Sequence, residues 1–457
     1  MNINTKASYY NFITDTPDGN QVIYNTKTGA IDMIDPEHRT NVQAILASPF
    51  SIPDIDEELF VHMLNQGYIV ESNRNELQDI ITWNREANRE TNIAYLTILP
   101  TETCNFTCPY CFIYTFREKH MTPEIYDSIY KYIENFFENN KNEEYCTFTL
   151  SWFGGEPLLV SDQILTFMKR INHLKGRYPN AILNSEITTN GYCLTSELFF
   201  KLLNAGIKRY QVTLDGDAES HDQLRTLPHK QPTFKKIYHN ILEIKQQVSP
   251  NDVFQFVIRS NFLRSTVKNS EHLLQMYKKD FFDDPRFRIY FRPVYNFETD
   301  RDSIHEVESD LCENIEGVSI QNRLSLETLE NTENVLESIA NPLPTPTKSW
   351  CVSVKENSNI VGYDGSVFSC DTMIVEKEQS IGYLNRDGKI IFNKNADIWK
   401  KSIFEANDEQ SQKCLKCKLL PICMGGCNRA RHVTGKNPCF WTEDLIYKAM
   451  LDYCKMI

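Results

Sequence analysis

The cysteines of this chain are unevenly distributed, and their grouping restricts its fold more than any other feature. Among 457 residues there are 14 cysteines. Three stand in the run Cys104-Asn-Phe-Thr-Cys108-Pro-Tyr-Cys111, and eight more lie from Cys351 onward. A chain of this length can bury a large core without disulfide bonds. Where thiols stay reduced, grouped cysteines more often bind metal, so the sequence predicts metal sites rather than disulfide bonds.

The start of the chain and its charge exclude several classes of protein. The segment MNINTKASYY lacks the apolar core of a signal peptide, and no apolar run reaches the length of about 18 residues that spans a membrane. We therefore expect a cytoplasmic protein with no membrane partner. The formal net charge of −13 argues against a nucleic-acid partner. Residues 1–90 hold 14 acidic and 6 basic side chains, a net charge of −8.

The first 75 residues have the pattern of a small α+β module. Three short strand-like runs lie between residues 8 and 34, separated by turn-forming segments rich in Pro, Asp, Gly and Thr. Helical patterns follow from Pro36 and from about Asp54, the second ending at Gly67, and a strand YIVES comes next. This order resembles a winged-helix module over residues 1–75. A polar helix over 76–92 would link it to the rest.

From Ile93 the pattern changes to alternating strands and helices. Six apolar strand-like runs, each separated from the next by a helical pattern, predict parallel βα units over residues 93–300. Six units are fewer than the eight of a full barrel, so the expected fold class is α/β, a partial (β/α)6 barrel. Residues 301–345 are polar and weakly patterned, which favours a linker or insertion. Residues 346–457 form a cysteine-dense, loop-rich C-terminal region.

The first cysteine run follows a predicted strand. Three thiolates can bind three irons of a [4Fe–4S] cube and leave the fourth iron open for another ligand. A zinc site would need a fourth nearby ligand, for which His120 is the close candidate. The run resembles the signature of radical S-adenosylmethionine (SAM) enzymes, including an aromatic residue, Tyr110, before the third cysteine. The resemblance covers roughly residues 93–457. It implies that SAM binds the open iron and is cleaved reductively to a 5′-deoxyadenosyl radical.

Further segments at the predicted strand ends resemble the SAM-binding motifs of that family. Gly154-Gly155-Glu156 looks like the motif that meets the SAM amino group, although it could also be an ordinary strand-to-helix turn. Asn190, at the end of the third strand, could reach the ribose or serve only in a turn. Thr213 and Arg225 resemble the hydroxyl and arginine that bind the SAM carboxylate, with Thr where Ser is usual. Arg259 and Asn261 are weaker candidates.

The C-terminal cysteines resemble the SPASM extension of radical SAM enzymes. The spacing is Cys351-x13-Gly365-x4-Cys370, followed by Cys414-x2-Cys417-x5-Cys423-x3-Cys427 and then Cys439. A zinc ribbon built on the first CxxC is the alternative, and it leaves the later cysteines unexplained. The resemblance implies two auxiliary [4Fe–4S] clusters, for a total of three. The implied ligands of the distal cluster are Cys414, Cys417, Cys423 and Cys439, and those of the proximal cluster are Cys351, Cys370 and Cys427.

The proximal set is one cysteine short of full ligation. Sulfatase-maturing relatives have a further cysteine between the first two, and residues 352–369 contain none. Either an iron of this cluster stays open, where it could bind a substrate thiolate, or Cys312 or Cys454 supplies the fourth ligand. The resemblance also makes Asp371 a candidate catalytic proton acceptor, with a local turn role as the alternative. Cys146 and Cys193 are expected to be buried free thiols.

The predicted N-terminal module indicates the class of substrate. Radical SAM enzymes that modify ribosomally made peptides often carry such a unit to bind the precursor's leader, commonly as an added strand. The acidic charge suits a basic leader; a scaffold or dimerisation role is the alternative. The resemblance therefore implies a maturase that forms a cysteine thioether, with a flavodoxin- or ferredoxin-type electron donor. The alternatives are a maturase that makes a carbon–carbon crosslink or a sulfatase formylglycine, and a non-catalytic iron–sulfur peptide carrier.

Overall fold

The computed structural model describes residues 4–47, 56–113, 119–295, 304, 306–328, 343–435 and 439–454. Its chain divides into two compact units. The first comprises Met1–Arg89, Glu333–Val352 and Lys401–Ile457, and we call it the mixed unit. The second comprises Glu90–Thr332 and Ser353–Lys400, and we call it the sheet unit. No helix of the described residues is long and apolar enough to cross a membrane.

The strands are short in the mixed unit and longer in the sheet unit. The strands of the mixed unit are Thr5–Ala7 (β1), Asn11–Asp15 (β2), Gln21–Asn25 (β3), Ile31–Ile34 (β4) and Ile69–Glu71 (β5). Those of the sheet unit are Ile93–Ile98 (β6), Cys146–Trp152 (β7), Ala181–Thr189 (β8), Arg209–Thr213 (β9), Gln255–Phe262 (β10), Phe287–Pro293 (β11), Ser358–Val361 (β12), Ser366–Phe368 (β13), Gly382–Leu384 (β14) and Ile390–Phe392 (β15).

The helices connect these strands in chain order. The first seven are Arg39–Ala47 (α1), Glu57–Gln66 (α2), Glu76–Asn88 (α3), Pro123–Asn139 (α4), Ser161–Arg177 (α5), Ser196–Asn204 (α6) and Ala218–Leu224 (α7). The rest are Phe234–Gln247 (α8), Val267–Asp280 (α9), Asn314–Glu327 (α10), Ala396–Trp399 (α11), Glu409–Leu415 (α12), Leu420–Cys423 (α13), Asn428–Thr434 (α14) and Glu443–Cys454 (α15).

The sheet unit is an open array of parallel βα units. Strands β6 to β11 lie side by side in chain order, and every neighbouring pair is parallel. Their central residues are buried because helices cover one face, as in Phe148 of β7 and Ile258 of β10. Among the described residues β11 pairs only with β10, so the array does not close. The expectation of a partial, six-stranded parallel barrel in an α/β fold is confirmed.

The sheet continues beyond the parallel array into the C-terminal region. Strand β12 runs parallel to β6, and β13, β14 and β15 follow as antiparallel neighbours. Residues 353–400 thus cluster with the barrel, although the sequence analysis assigned everything from residue 346 to a separate region. The cause is the pairing of β12 with β6 across more than 250 residues of chain, which local periodicity does not encode.

The predicted linker over residues 301–345 is partly a packed element of the sheet unit. Helix α10 lies within it, and its Leu324 is fully buried in the main core. Cys312, just before α10, is 9% exposed and belongs to the same core. Its neighbourhood is tight, because a Cβ added to Gly317 would lie 3.4 Å from the Cys312 Cβ. Cys146 is also fully buried in this core.

The mixed unit joins the two ends of the chain. Strands β2, β3 and β4 form an antiparallel sheet, and β1 pairs with β5. The apolar side of the β2–β3–β4 sheet packs on the C-terminal region, in a core that contains Phe12, Val22, Tyr24, Leu419, Ile422, Ile446, Ala449 and Met450. The predicted winged-helix and cysteine-rich regions therefore share one core.

Hydrogen bonds tie the N-terminal strands to the cysteine-rich loop at residues 416–418. The hydroxyl of Tyr9 donates to the Lys416 carbonyl at 2.6 Å, and that of Thr26 donates to the Lys418 carbonyl at 2.6 Å. The ammonium of Lys418 donates to the carbonyl of Asn11 at 3.2 Å. This loop connects α12 to α13 and contains Cys417, so the N-terminal strands contact a segment that carries a predicted cluster ligand.

Local signals in the N-terminal region place most elements but miss some. Gly67 ends α2 in the left-handed conformation, with φ of 80°, and Asp56 caps its start through the Glu58 and Leu59 amides. Asn75 caps α3, close to the predicted start of the linking helix. Helix α1 begins at Arg39 rather than Pro36, and the sequence analysis did not include β1.

The position of Cys312 leads to a prediction about its role. Cys312→Ala should lower the free energy of unfolding by about 1 kcal/mol, because a buried thiol packs as a small apolar group. The iron content of the reconstituted protein should stay unchanged, and Cys146→Ala, a buried thiol of the same core, is the matched control. Iron analysis and denaturant unfolding measure both quantities. A loss of iron in Cys312→Ala would instead make this thiol a cluster ligand.

Candidate active site

A cavity of about 170 Å³ lies at the carboxyl ends of the parallel strands of the sheet unit. Parallel strands bring their carboxyl ends to one edge, which is where ligands bind in such folds. The predicted SAM-site residues that line it are Cys104, Cys108, Tyr110, Cys111, Gly154, Gly155, Asn190, Thr213 and Arg225. Arg259, Asn261 and Arg292 complete its polar wall. These residues come from separate motifs, and the strand order brings them to one place.

The cysteine loop that follows β6 is fixed at several points. The Thr107 amide donates to the Thr226 carbonyl at 2.9 Å, and the Asn190 side chain donates to Asn105 at 2.7 Å. Burial raises the pKa of Cys108 to about 12, and the charge of Arg225 opposes this rise. The Cys108 thiol therefore holds its proton, and iron binding would have to displace that proton. The loop is held by these contacts with the barrel together with its own turn, in which the Cys111 amide donates to the Cys108 carbonyl at 3.2 Å.

Gly154 and Gly155 lie against residues 101–103, where the cysteine loop begins. The Gly155 amide donates to the Thr101 carbonyl at 3.1 Å, and the Glu156 amide donates to the Thr103 carbonyl at 2.8 Å. A Cβ on Gly155 would lie 2.2 Å from the Thr103 carbonyl oxygen. Gly154 has φ of 124°, and its Cβ would lie 2.4 Å from the Thr101 carbonyl oxygen. The absence of side chains at Gly154 and Gly155 therefore lets their backbone lie against residues 101–103.

Glu156 joins two strand ends and is not among the residues that line the cavity. Its carboxylate is fully buried and accepts hydrogen bonds from the Leu158 amide at 3.0 Å, the Thr189 hydroxyl at 2.6 Å and the Asn190 amide at 2.7 Å. Burial raises the pKa of this carboxyl, and the three hydrogen bonds oppose the rise. Glu156 thus joins the end of β7 to the end of β8, behind the cavity wall that Gly154 and Gly155 form.

Tyr110, which is partly buried, forms a group in the cavity wall with the buried Asp215 and Arg225. The Tyr110 hydroxyl donates to the Asp215 carboxylate, and Arg225 Nη1 donates to the Tyr110 oxygen at 2.9 Å. Arg225 Nη1 lies 3.9 Å from Asp215 Oδ2. Burial raises the pKa of Tyr110 well above its usual value, so the phenol stays neutral and can donate. We call these three residues the Asp215 triad.

His221 supports the Asp215 triad from behind. The ring is fully buried, and burial lowers its pKa well below the usual value, so it is neutral. Its Nδ1 accepts from the Asp215 amide at 3.1 Å, which assigns the proton to Nε2, facing the Thr233 hydroxyl at 3.1 Å. Thr233 in turn donates to the Arg225 carbonyl at 2.5 Å. The His221 imidazole therefore holds the backbone of Asp215, and the Thr233 hydroxyl holds the backbone of Arg225.

Two polar groups in this wall fit an anionic ligand. The Nε of Arg225 is buried and has no hydrogen-bond partner among the described residues. Thr213 is 7% exposed, and its hydroxyl makes no hydrogen bond within the described part of the chain. A buried guanidinium with an unmet donor is costly unless an acceptor reaches it. The residues present therefore fit a carboxylate placed between the guanidinium and the hydroxyl.

Other predicted residues have mixed placements. Asn190 lines the cavity, but its amide oxygen accepts from the Tyr192 amide at 3.0 Å and its amide nitrogen bonds Asn105, which favours the turn role. Asp371 does not line the cavity; it begins a short turn after Cys370 and is close enough to Arg259 to feel its charge. Arg259 donates to the Asn261 side chain at 2.9 Å. Arg259 lines the cavity and also interacts with Asp371, so it connects the cavity to the neighbourhood of Asp371.

The C-terminal cysteines of the mixed unit form one neighbourhood. Burial raises the pKa of Cys423 to about 12, and three nearby thiols add to the rise; they are Cys417, Cys414 and Cys439. These are the four residues predicted as ligands of the distal cluster. Cys427 precedes α14 in the same unit and lies near Arg431. Of the other proximal candidates, Cys351 lies in the mixed unit and Cys370 in the sheet unit.

A single metal ion, as in a zinc site, is the alternative to a cluster at these thiols. Within the ranges that the structure describes, no three Cys, His, Asp or Glu side chains converge on a point where one metal ion could be held. The ligands of a [4Fe–4S] cube each bind a different iron, so they surround the cluster instead of converging. His120 pairs its backbone with Thr101, next to the start of the cysteine loop.

Some residues that organise the cavity are not identified by the sequence motifs. The sequence predicts no role for Asp215, His221 or Asn105. A polar residue directly after a buried parallel strand was the available signal for Asp215. His221 lies within α7 and Asn105 within the cysteine loop, so neither carries this signal.

Comparison with known proteins gives the family of the core. Residues 98–258 match the family model described as the radical SAM superfamily, and this range holds the three cysteines, the Gly154-Gly155 segment and the Asp215 triad. The cysteine-type anaerobic sulfatase-maturating enzyme of Clostridium novyi (strain NT) is 26% identical over 347 residues. These cover 72% of this chain and 86% of that enzyme.

Two solved structures share the fold. Native anSMEcpe with bound AdoMet has a TM-score of 0.57 and 21% identity, and the match covers 80% of this chain and 97% of that one. Streptococcus suis SuiB bound to precursor peptide SuiA has a TM-score of 0.52 and 14% identity, covering 95% of this chain and 99% of that one. At these identities the similarity shows a common fold.

The contact between Gly155 and Thr103 gives a direct test of the cysteine loop. Gly155→Ala should lower the free energy of unfolding by about 3 kcal/mol or more, since backbone must move to admit the methyl group. It should also reduce iron uptake. Gly176→Ala is the matched control, because the space around Gly176 in α5 is open, and it should be neutral or stabilising. Equal iron contents and stabilities in the two variants would contradict this reading of the loop.

Proposed function

This chain is a radical SAM enzyme, and from that premise we propose that it matures a ribosomally made precursor peptide by joining a cysteine thiol to carbon. The net change in the peptide is the loss of two hydrogens. One would leave the acceptor carbon as a hydrogen atom taken by the 5′-deoxyadenosyl radical, and the other would leave the thiol as a proton. The C–S bond replaces the C–H and S–H bonds, and the one remaining electron would pass to an auxiliary iron–sulfur cluster. The observation that supports SAM chemistry is the cavity that places three thiols beside a buried guanidinium with an unpaired Nε donor. The thioether rests on the proximal set of cysteines, which is one cysteine short of full ligation.

Different residues of the cavity would bind the cluster and the SAM carboxylate. Cys104, Cys108 and Cys111 would hold a [4Fe–4S] cluster, and Arg225 with Thr213 would bind the carboxylate of SAM. When bound, cluster and SAM together supply a 5′-deoxyadenosyl radical that can abstract a hydrogen atom. The deep position of Cys108, 7% exposed, would keep water from the reacting atoms.

The mixed unit carries six of the seven cysteines that we assign to auxiliary clusters. Cys414, Cys417, Cys423 and Cys439 lie near one another there, in the spacing of the SPASM pattern. We assign them to the distal cluster, and Cys351, Cys370 and Cys427 to the proximal one. With three cysteines, the proximal cluster would keep an iron on which a substrate thiolate could bind, since soft sulfur is a favoured ligand of iron–sulfur sites. The packing of Cys312 in the core favours this open iron.

The N-terminal strands support a peptide partner. Among the described residues β4 pairs only with β3, which leaves an edge where an extended peptide could add. Next to it, hydrogen bonding and charge from Asp35 raise the pKa of His38, and Glu37 and Asp56 add to the rise. We call Asp35, Glu37 and Asp56 the acidic patch, and its negative charge suits a leader that carries Lys or Arg. A solved neighbour in fold, SuiB, is described with its precursor peptide bound.

Formylglycine formation in a sulfatase is the second candidate. It is favoured by the sequence similarity to an enzyme named as a sulfatase maturase. The match to anSMEcpe covers nearly all of that chain but leaves a fifth of this one unmatched. The unmatched part favours a function in this chain beyond that of a sulfatase maturase. The acidic patch and the strand edge would serve that function.

The product distinguishes the candidates. Incubated with SAM and reductant, the enzyme should give a peptide that has lost two hydrogens per crosslink, with the cysteine no longer alkylated. Mass spectrometry with and without alkylation measures both features. A carbon–carbon crosslink would leave the thiol open to alkylation, and a formylglycine would have lost its sulfur, so either result would contradict the thioether.

Iron content tests the assignment of the cysteines. Anaerobic reconstitution should give about twelve irons per chain, four for each of three cubes. Cys423→Ala should lose about four of them and leave the SAM cluster intact. Cys146→Ala, in the core of the sheet unit, is the control and should lose none. A total near four irons in the wild-type protein would refute the auxiliary clusters.

Charge reversal tests leader binding without removing the module. Deleting residues 1–75 would expose the core shared with the C-terminal region, so a surface variant is cleaner. Asp35→Lys with Glu37→Lys should weaken binding of a basic leader peptide by about tenfold at low salt and by less at high salt. Glu197→Lys on α6 is the control. Undiminished binding in calorimetry would place the leader elsewhere.

A further inference from the structure

The Asp215 triad has an unusual hydrogen-bond pattern for a buried arginine and carboxylate. Such pairs usually bond directly, often through two parallel N–H···O bonds. Here Arg225 Nη1 stays 3.9 Å from Asp215 Oδ2 and donates instead to the Tyr110 oxygen at 2.9 Å. The phenol therefore stands between the two charges.

The Asp215 carboxylate is occupied by neutral donors. Its Oδ1 accepts from the Asn261 amide at 2.9 Å and from the Asn261 side chain at 3.1 Å. Its Oδ2 accepts from the Tyr110 hydroxyl. These partners come from β10 and the cysteine loop, so the carboxylate is fixed from two sides and has little freedom to move toward Arg225.

In this pattern Arg225 is charged and buried, and not all of its N–H donors have an acceptor. The side chain is held over the ring of Phe106 at 5.7 Å, and its Nε has no partner among the described residues. A direct bidentate pair with Asp215 would use two of its donors. Without any carboxylate nearby, its burial would be strongly unfavourable. The charge is thus balanced while a donor remains for the cavity.

We propose that Tyr110 and Asp215 are positioning residues for the SAM carboxylate, acting through Arg225. Asp215 balances the buried guanidinium before the ligand arrives, and the Tyr110 hydroxyl acts as a spacer that prevents a closed Asp215–Arg225 pair. Because Tyr110 is the residue before Cys111, the spacer also sets the distance between the guanidinium and the cysteine loop. This inference rests on the proposed role of Arg225 and is independent of the peptide product.

The test compares two ligands that differ only in the carboxylate. Reconstituted wild-type protein, Tyr110→Phe and Asp215→Asn are titrated with SAM and with decarboxylated SAM, and iron content is measured for each. Tyr110→Phe should weaken SAM binding by about tenfold, the effect of one hydrogen bond to a charged group. Binding of decarboxylated SAM and the iron content should stay at their wild-type values. Tyr126→Phe, a buried tyrosine of α4 whose hydroxyl bonds Gln163, is the matched control.

The outcomes separate this inference from its premise. If Arg225→Gln weakens both ligands equally, the carboxylate role of Arg225 is wrong and the inference falls with it. If Arg225→Gln acts on SAM alone while Tyr110→Phe leaves SAM binding unchanged, or weakens both ligands equally, the positioning role is overturned. Tyr110→Phe removes a single oxygen, so it decides the question even where Asp215→Asn takes up no iron.

Discussion

A buried carboxylate, Asp215, is the group on which the arrangement of the cavity depends. It follows β9, bonds the end of β10 through Asn261, and holds the cysteine loop through Tyr110. A charge at this depth is tolerated only with compensation, which Arg225 provides. Two strand ends and one loop are thereby held in a single geometry. The loop that carries Cys104, Cys108 and Cys111 could not be placed so closely by short turns alone.

A second constraint links the ends of the chain. The N-terminal strands and the cysteine-rich C-terminal helices share one apolar core, and carbonyls of residues 416–418 accept hydrogen bonds from the N-terminal segment. These carbonyls flank Cys417. A cluster bound there would stabilise the surface on which we propose that the leader docks, since ligand binding to the folded state favours that state. Iron loading and peptide recognition are thus physically connected in the mixed unit.

The sequence predicted those features whose signals are local. The alternation of strands and helices predicted the parallel array, and the spacing of Cys104, Cys108 and Cys111 predicted their common site. Gly67 marked a helix end correctly. Each of these depends on residues a few positions apart.

What the sequence could not supply are contacts between distant segments. The pairing of β12 with β6, the packing of Phe12 in one core with Ile446 and the burial of Cys312 follow from tertiary structure alone. The same holds for Glu156, whose motif suggested a ligand contact but whose carboxylate bonds Thr189 and Asn190. Motifs identify candidate site residues, whereas the order of the strands in the sheet determines which residues each of them contacts.

The most direct measurement is the release of 5′-deoxyadenosine by the reduced, reconstituted protein incubated with SAM. Wild-type protein should release it, and Cys111→Ala, which removes one thiol from the cavity, should release none. Cys193→Ala, a partly buried thiol outside the cavity lining, should behave as the wild type. Equal release by wild-type protein and Cys111→Ala, or no release by the wild type even with a peptide substrate, would contradict the assignment of this cavity as the site of SAM cleavage.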